Sequence, residues 1–158
     1  QLPAALRQMA EDHFAILKVG PALTFALREA LFALAAIESE TLGGSSLLQT
    51  LESAMLAEPA HWQKYYSGSP AQQAIQRRYS YSDRVRYYWA QPQVAAAVQA
   101  LLRRLEQNPP PLTLLSQYLP AQYGKVRQGS LENTPLDLLY DHIQETLAAY
   151  PAYPGSEK

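Results

Sequence analysis

Apolar residues recur at helical spacing along most of this chain, and one short run near its start breaks the pattern. From about Ala22 to Glu38, Leu23, Leu27, Ala30, Leu31, Leu34 and Ile37 fall on one helical stripe. Phe25, Phe32 and Ala36 fall on a second, and only Arg28, Glu29 and Glu38 are charged. A helix this apolar on two faces needs cover on more than one side. Ahead of it, Phe14-Ala15-Ile16-Leu17-Lys18-Val19 is apolar at consecutive positions except Lys18, and Gly20-Pro21 closes it. That is the pattern of a strand buried on both faces in a parallel sheet. Strand, tight turn and helix make one βα unit, yet no second strand of this type follows. A lone strand cannot satisfy its own backbone groups, so its partners are expected in sequence outside this chain. The opening Gln1-Leu2-Pro3-Ala4-Ala5 has neither an initiating Met nor a secretory pattern, and it reads as an interior point of a longer chain.

Beyond Thr41 the pattern is of helices punctuated by prolines. Thr41 to Ser46, with Gly43-Gly44, reads as a loop. Leu47, Leu48, Leu51, Met55 and Leu56 predict a short helix that stops before Pro59. Pro59 and Pro70 each suit a first helical position. Ser82-Asp83 is placed to cap a helix carrying Val85, Tyr88 and Trp89. After Pro92 comes the clearest amphipathic helix, with Val94, Val98, Leu101, Leu102 and Leu105 on one face, ended by Pro109-Pro110-Pro111. The last helix opens on Thr134-Pro135-Leu136-Asp137, a cap, a proline at the first position and a carboxylate at the third. Its expected stripe is Leu136, Leu139, Tyr140, Ile143 and Leu147.

Composition narrows the function classes. With 47% hydrophobic and 17% charged residues, the 158-residue chain can bury a core. A net charge of −1 and scattered basic residues give no footprint for nucleic acid or an anionic membrane. The longest nearly apolar stretch, Ala30 to Ile37, is far too short to span a bilayer. The chain has no cysteine, which excludes disulfides and thiolate metal sites and leads us to expect a cytoplasmic location.

Candidate chemistry is sparse. His13, His61 and His142 are far apart and form no metal-ligand spacing, and no nucleophile elbow, P-loop or dinucleotide-binding glycine pattern occurs. No cofactor is therefore expected in this chain. Two stretches stand out. In Lys18-Val19-Gly20-Pro21-Ala22-Leu23-Thr24, the helix N-terminus and the Lys18 charge suit a phosphate, with Lys18, Gly20 and Thr24 as the seat. By spacing alone, a plain turn with Thr24 as cap is the stronger reading. Tyr79 to Trp89 holds five aromatics and two arginines in eleven residues. Arg84 or Arg86 could clamp an anion, but an aromatic-rich packing or subunit contact made by Arg84, Arg86, Tyr87, Tyr88 and Trp89 is the stronger reading.

Three stretches together carry a family resemblance. They are His13 to Leu34, Tyr81 to Trp89, and Leu115-Ser116-Gln117-Tyr118-Leu119-Pro120-Ala121-Gln122-Tyr123, the last followed by the Thr134-Pro135 helix with His142-Ile143-Gln144. The chain resembles the C-terminal part of the non-catalytic (Z-type) subunit of bacterial D-tagatose-1,6-bisphosphate aldolase. The resemblance implies a mainly α chain that begins with the last strand-helix unit of a (β/α)8 TIM barrel related to class II aldolases. Residues 1–40 would be that barrel portion and residues 41–158 a helical C-terminal extension. It implies an accessory, chaperone-like role beside a catalytic subunit that holds zinc, in galactitol or N-acetylgalactosamine catabolism. In catalytic relatives the corresponding last loop holds a substrate phosphate, which favours Lys18, Gly20 and Thr24. The alternative it allows is a sugar-phosphate-binding, lyase-like barrel with weak activity of its own. The family has also been labelled a tagatose-6-phosphate kinase, but this sequence shows no nucleotide-site pattern.

Overall fold

A computed structural model describes residues 21–149. The predicted strand Phe14–Val19, together with His13, Lys18 and Gly20, lies outside the described residues. Among the described residues every regular element is helical. They are α1 (Pro21–Leu42), α2 (Leu47–Ala57), α3 (Pro70–Tyr79), α4 (Pro92–Gln107), α5 (Leu112–Tyr118), α6 (Pro120–Gln128) and α7 (Pro135–Ala148), with 3-10 turns at Pro59–His61 and Val85–Tyr87. The mainly α expectation therefore holds over these residues. The barrel expectation rests on a strand that lies outside them.

α1 is the hub because its sequence is apolar around most of its circumference. It packs against α2, α4, α5 and α7. Leu27, Leu31, Leu34 and Ile37 are each no more than 4% exposed. Burial of this kind contributes about 1.5–3 kcal/mol per large aliphatic side chain. α4 presents Val94, Val98, Leu101, Leu102 and Leu105 to the same core and turns Arg103 and Glu106 to solvent, as its spacing predicts. One continuous core joins α1 to the helices after it, and residue 40 lies within α1. The predicted loop from Thr41 accordingly begins two residues late, since Thr41 still donates its hydroxyl to the Ile37 carbonyl inside the helix.

Helix ends follow local chemistry. Pro59, Pro70, Pro92, Pro120 and Pro135 each occupy a first helical position. Ser69 Oγ accepts from Gln72 N at 3.2 Å while Gln72 Oε1 accepts from Ser69 N at 2.9 Å, a reciprocal capping box. Thr134 Oγ1 accepts from Asp137 N at 3.3 Å, the predicted cap of α7. Arg104 donates to the Leu42 carbonyl at 3.2 Å and pairs with buried Glu38 at 3.3 Å, closing the open end of α1. α6 ends at Gly129, whose φ of 78° is the left-handed conformation that glycine adopts without cost.

The helix expected after Ser82-Asp83 is corrected. The segment is only the 3-10 turn Val85–Tyr87, and its N-cap residue, Arg84, makes no side-chain cap. The Asp83 carboxylate accepts from the Val85 backbone N–H, as a capping side chain does, and also points inward to Arg28, 55 residues away. The stripe expected on α7 also shifts. Pro135, Leu138, Leu139 and Ile143 are buried, whereas Leu136, Tyr140 and Leu147 are half-buried, because α1, α4 and α6 all lie against this helix.

Candidate functional site

The loop between α3 and α4 is fastened to α1 by a buried ion pair. Arg28 Nη1 lies 3.2 Å from Asp83 Oδ1, and neither side chain is more than 4% exposed. Arg28 also donates to the Ser80 carbonyl at 2.9 Å and the Tyr79 carbonyl at 3.4 Å, and its guanidinium lies 4.4 Å from the centre of the Phe25 ring. Burial raises the Asp83 carboxyl above its ordinary range, and the Arg28 charge opposes that rise. A second strut lies nearby: Arg77 pairs with Glu52 and stacks over Trp62, whose Nε1 donates to the Met55 carbonyl at 2.6 Å.

Next to this loop, cations and aromatic rings interleave. Arg84 sits 3.8 Å from the centre of the Tyr65 ring and 4.7 Å from that of Tyr87, and its Nε donates to the His61 carbonyl at 2.7 Å. His61 stacks on Tyr87 at 5.1 Å. Arg86 donates to the Tyr87 hydroxyl at 2.7 Å. The Tyr66 hydroxyl donates to the Ser82 carbonyl at 2.6 Å and accepts from Arg84 N at 3.2 Å, while burial raises its pKa. The five residues expected to form a contact surface divide here. Tyr88 and Trp89 are wholly buried in the core, and the Tyr88 hydroxyl donates to the Glu58 carbonyl. Arg84, Arg86 and Tyr87 remain at the surface, beside exposed Tyr65.

An open groove of about 670 Å³ runs along the first half of α1. Its α1 residues are Phe25, Arg28, Glu29 and Phe32, and Tyr79, Tyr81, Tyr118, Leu119, His142 and Thr146 complete the lining. Phe25 stacks on Tyr81 at 5.8 Å, and Phe32 meets Tyr79 edge-on at 6.0 Å. Glu29 Oε1 is 3.5 Å from His142 Nε2. The groove is not among the sites expected from sequence. Its signal was present in the second apolar stripe of α1, whose Phe25 and Phe32 now line it.

Of the expected phosphate seat, Lys18 and Gly20 lie outside the described residues, and Thr24 is 1% exposed within the first turns of α1 rather than at a cap. Among the described residues no group of three or more His, Asp or Glu side chains is placed to hold a metal ion. No helix among them is long and apolar enough to cross a membrane.

Comparison with known proteins places this arrangement. A family model described as D-tagatose-1,6-bisphosphate aldolase subunit GatZ/KbaZ-like matches residues 1–153. The fold is also similar to the crystal structure of a probable tagatose 6 phosphate kinase from Sinorhizobium meliloti 1021, with a TM-score of 0.78 and 43% identity. That match covers 84% of this chain but only 35% of the other protein, so the chain spans well under half of its relative's length.

Proposed function

The chain belongs to the D-tagatose-1,6-bisphosphate aldolase subunit GatZ/KbaZ-like family, and from that membership we propose that it serves as the helical C-terminal extension of an accessory, non-catalytic subunit. In this reading it stabilises a separate catalytic, zinc-holding aldolase subunit by protein contact, in the cytoplasmic catabolism of galactitol or N-acetylgalactosamine-type sugars. The helices after α1 extend the last strand-helix unit of a TIM barrel. The observation that carries the reading is the match to an aldolase-subunit family over residues 1–153. A supporting one is the surface cluster of Arg84, Arg86, Tyr87 and Tyr65, a residue mix enriched at protein interfaces.

The test is the heat-inactivation rate of a catalytic tagatose-bisphosphate aldolase subunit with and without this chain. Slower inactivation in its presence is the expected result. An unchanged rate, with circular dichroism showing the chain folded, removes the stabilising role from these helices.

A second reading draws on the phosphorylated sugar in the name of the 43%-identical protein. It has Lys18, Gly20 and Thr24 binding a sugar phosphate, in a lyase-like barrel with weak activity of its own. The burial of Thr24 weighs against it. Isothermal titration of the chain with tagatose 1,6-bisphosphate decides, since heat that vanishes in Lys18→Ala would restore this reading.

A further inference from the structure

Three arginines of this chain, Arg28, Arg77 and Arg104, are matched by carboxylates, those of Asp83, Glu52 and Glu38 in turn. Arg84 and Arg86 are half-buried, yet among the described residues neither has a carboxylate partner. The carboxylates nearest in sequence to their cluster are engaged elsewhere. Asp83 pairs with Arg28, and Glu58 accepts from Gln91 Nε2 at 3.1 Å. Arg84 is nevertheless held in one place. Its guanidinium lies against the Tyr65 and Tyr87 rings, 3.8 and 4.7 Å from their centres, and its Nε is spent on the His61 carbonyl. Its two terminal nitrogens donate to nothing among the described residues. A guanidinium fixed at Nε and against ring faces, with both terminal nitrogens free, is a preformed fork for a planar anion. Arg86 adds a second positive charge over the Tyr87 ring, at 4.8 Å.

We infer that this cluster docks an acidic segment of the catalytic subunit, with one partner carboxylate in the Arg84 fork and its flanking apolar groups against the Tyr65 and Tyr87 rings. The inference rests on the accessory reading and adds the chemistry of the partner's contact. Charge selects an anion, because two ordered guanidinium groups stand here without one. Openness selects a macromolecule. Tyr65 and Tyr87 are 57% and 39% exposed, and His61 and Lys64 are exposed beside them, so the cluster is open surface rather than an enclosed cavity. A small anion on such a surface would keep most of its water, whereas a protein segment also covers the rings and dries the fork. The whole chain carries a net charge of only −1. Attraction for an acidic partner must therefore come from this patch and not from the molecule's overall field.

The test is binding of the chain to a catalytic tagatose-bisphosphate aldolase subunit, measured by surface plasmon resonance over a series of salt concentrations. The parent chain is expected to bind more weakly as salt rises. The double variant Arg84→Gln/Arg86→Gln, checked for folding by circular dichroism, is expected to bind about tenfold more weakly and to lose most of that salt dependence. Parental affinity and salt dependence in this variant overturn the acidic contact and leave the accessory reading standing. A folded parent chain that fails to bind at any salt concentration removes both. Inorganic phosphate is the competing probe. Displacement of the catalytic subunit by phosphate at constant ionic strength would make the cluster a phosphate seat and overturn the inference. Arg86→Lys gives a second route that keeps the charge. It sets an amine in the patch, and carbodiimide condenses an amine with a carboxylate in contact, forming an amide with loss of one water. A link from position 86 to an Asp or Glu of the catalytic subunit is the expected product by mass spectrometry. The Lys125–Asp141 pair, 2.9 Å apart, is the control for reactivity within the chain. That control link without any link from position 86 to the partner overturns the inference.

Discussion

At the scale of single residues, the Arg28–Asp83 pair is where a change of one atom group matters most. Both charges are withdrawn from water, so removing one leaves the other uncompensated, a loss of about 3–5 kcal/mol. Arg28→Ala is expected to cost that much at neutral pH. The pH dependence has a definite sign. Burial already holds the Asp83 pKa above its unfolded value. What the group adds to stability is therefore fully present below the unfolded pKa and is lost as pH rises through the folded one. Without Arg28 the folded value rises further. The deficit of Arg28→Ala should then shrink as pH falls toward the ordinary aspartate range, and Asp83→Asn in the same background should recover part of it. Denaturant unfolding at a series of pH values measures this, and a deficit that ignores pH would locate the loss in packing instead. None of this was legible in sequence. Arg28 reads there as an interruption of an apolar helix and Asp83 as a cap, since the 55 residues between them hide the contact. Tyr88 and Trp89 are a different case. Their spacing of three and four residues from Val85 already groups the three on one face, but whether an aromatic face meets the chain's own core or a partner depends on which way the turn is tied down, and it is turned inward.

At the scale of elements, legibility was high wherever a helix announces its own ends. Pro70, Pro92 and Pro135 mark first positions because they give up an N–H that has no partner there, and Thr134 caps because its oxygen reaches the Asp137 N–H. Thr134→Ala should therefore cost about 1 kcal/mol. Since α7 packs on α1, the loss should appear in the global melt, as a fall of about 2–4 °C in Tm by calorimetry. A melt unchanged within error would mean that the α7 end frays without help from its cap. The buried face of α7 was less legible than its start. A stripe of period 3.6 assumes one packing partner, and three neighbours widen the face until Leu138 is buried while Leu136 and Leu147 stay half-exposed. The requirement that α1 be covered on several sides follows from its two stripes, and four helices supply that cover. Which stripe would stay open was not legible, because that depends on where the loop at Tyr79 to Asp83 is tied down.

At the scale of the whole molecule, the question is which surface could transmit stability to another protein without taking it from this one. The aromatic stretch contains both kinds of residue, and they predict opposite behaviour. Trp89 is wholly buried, so Trp89→Ala should lose about 3–5 kcal/mol through the cavity it leaves. Any protection of a catalytic aldolase subunit should then fall only in step with the folded fraction. Arg86 and Tyr87 lie at the surface, where Tyr87 also stacks on His61 and lies beneath Arg84. The double variant Arg86→Ala/Tyr87→Ala should accordingly lose only about 1 kcal/mol, far less than Trp89→Ala. If this patch is the contact, that variant loses complex formation by light scattering and loses protection against heat, while remaining folded by circular dichroism. Full protection by a folded Arg86→Ala/Tyr87→Ala chain would clear the patch of that role. The remaining exposed aromatics, Tyr79 and Tyr81 at the mouth of the α1 groove, would then be the next surface to alter.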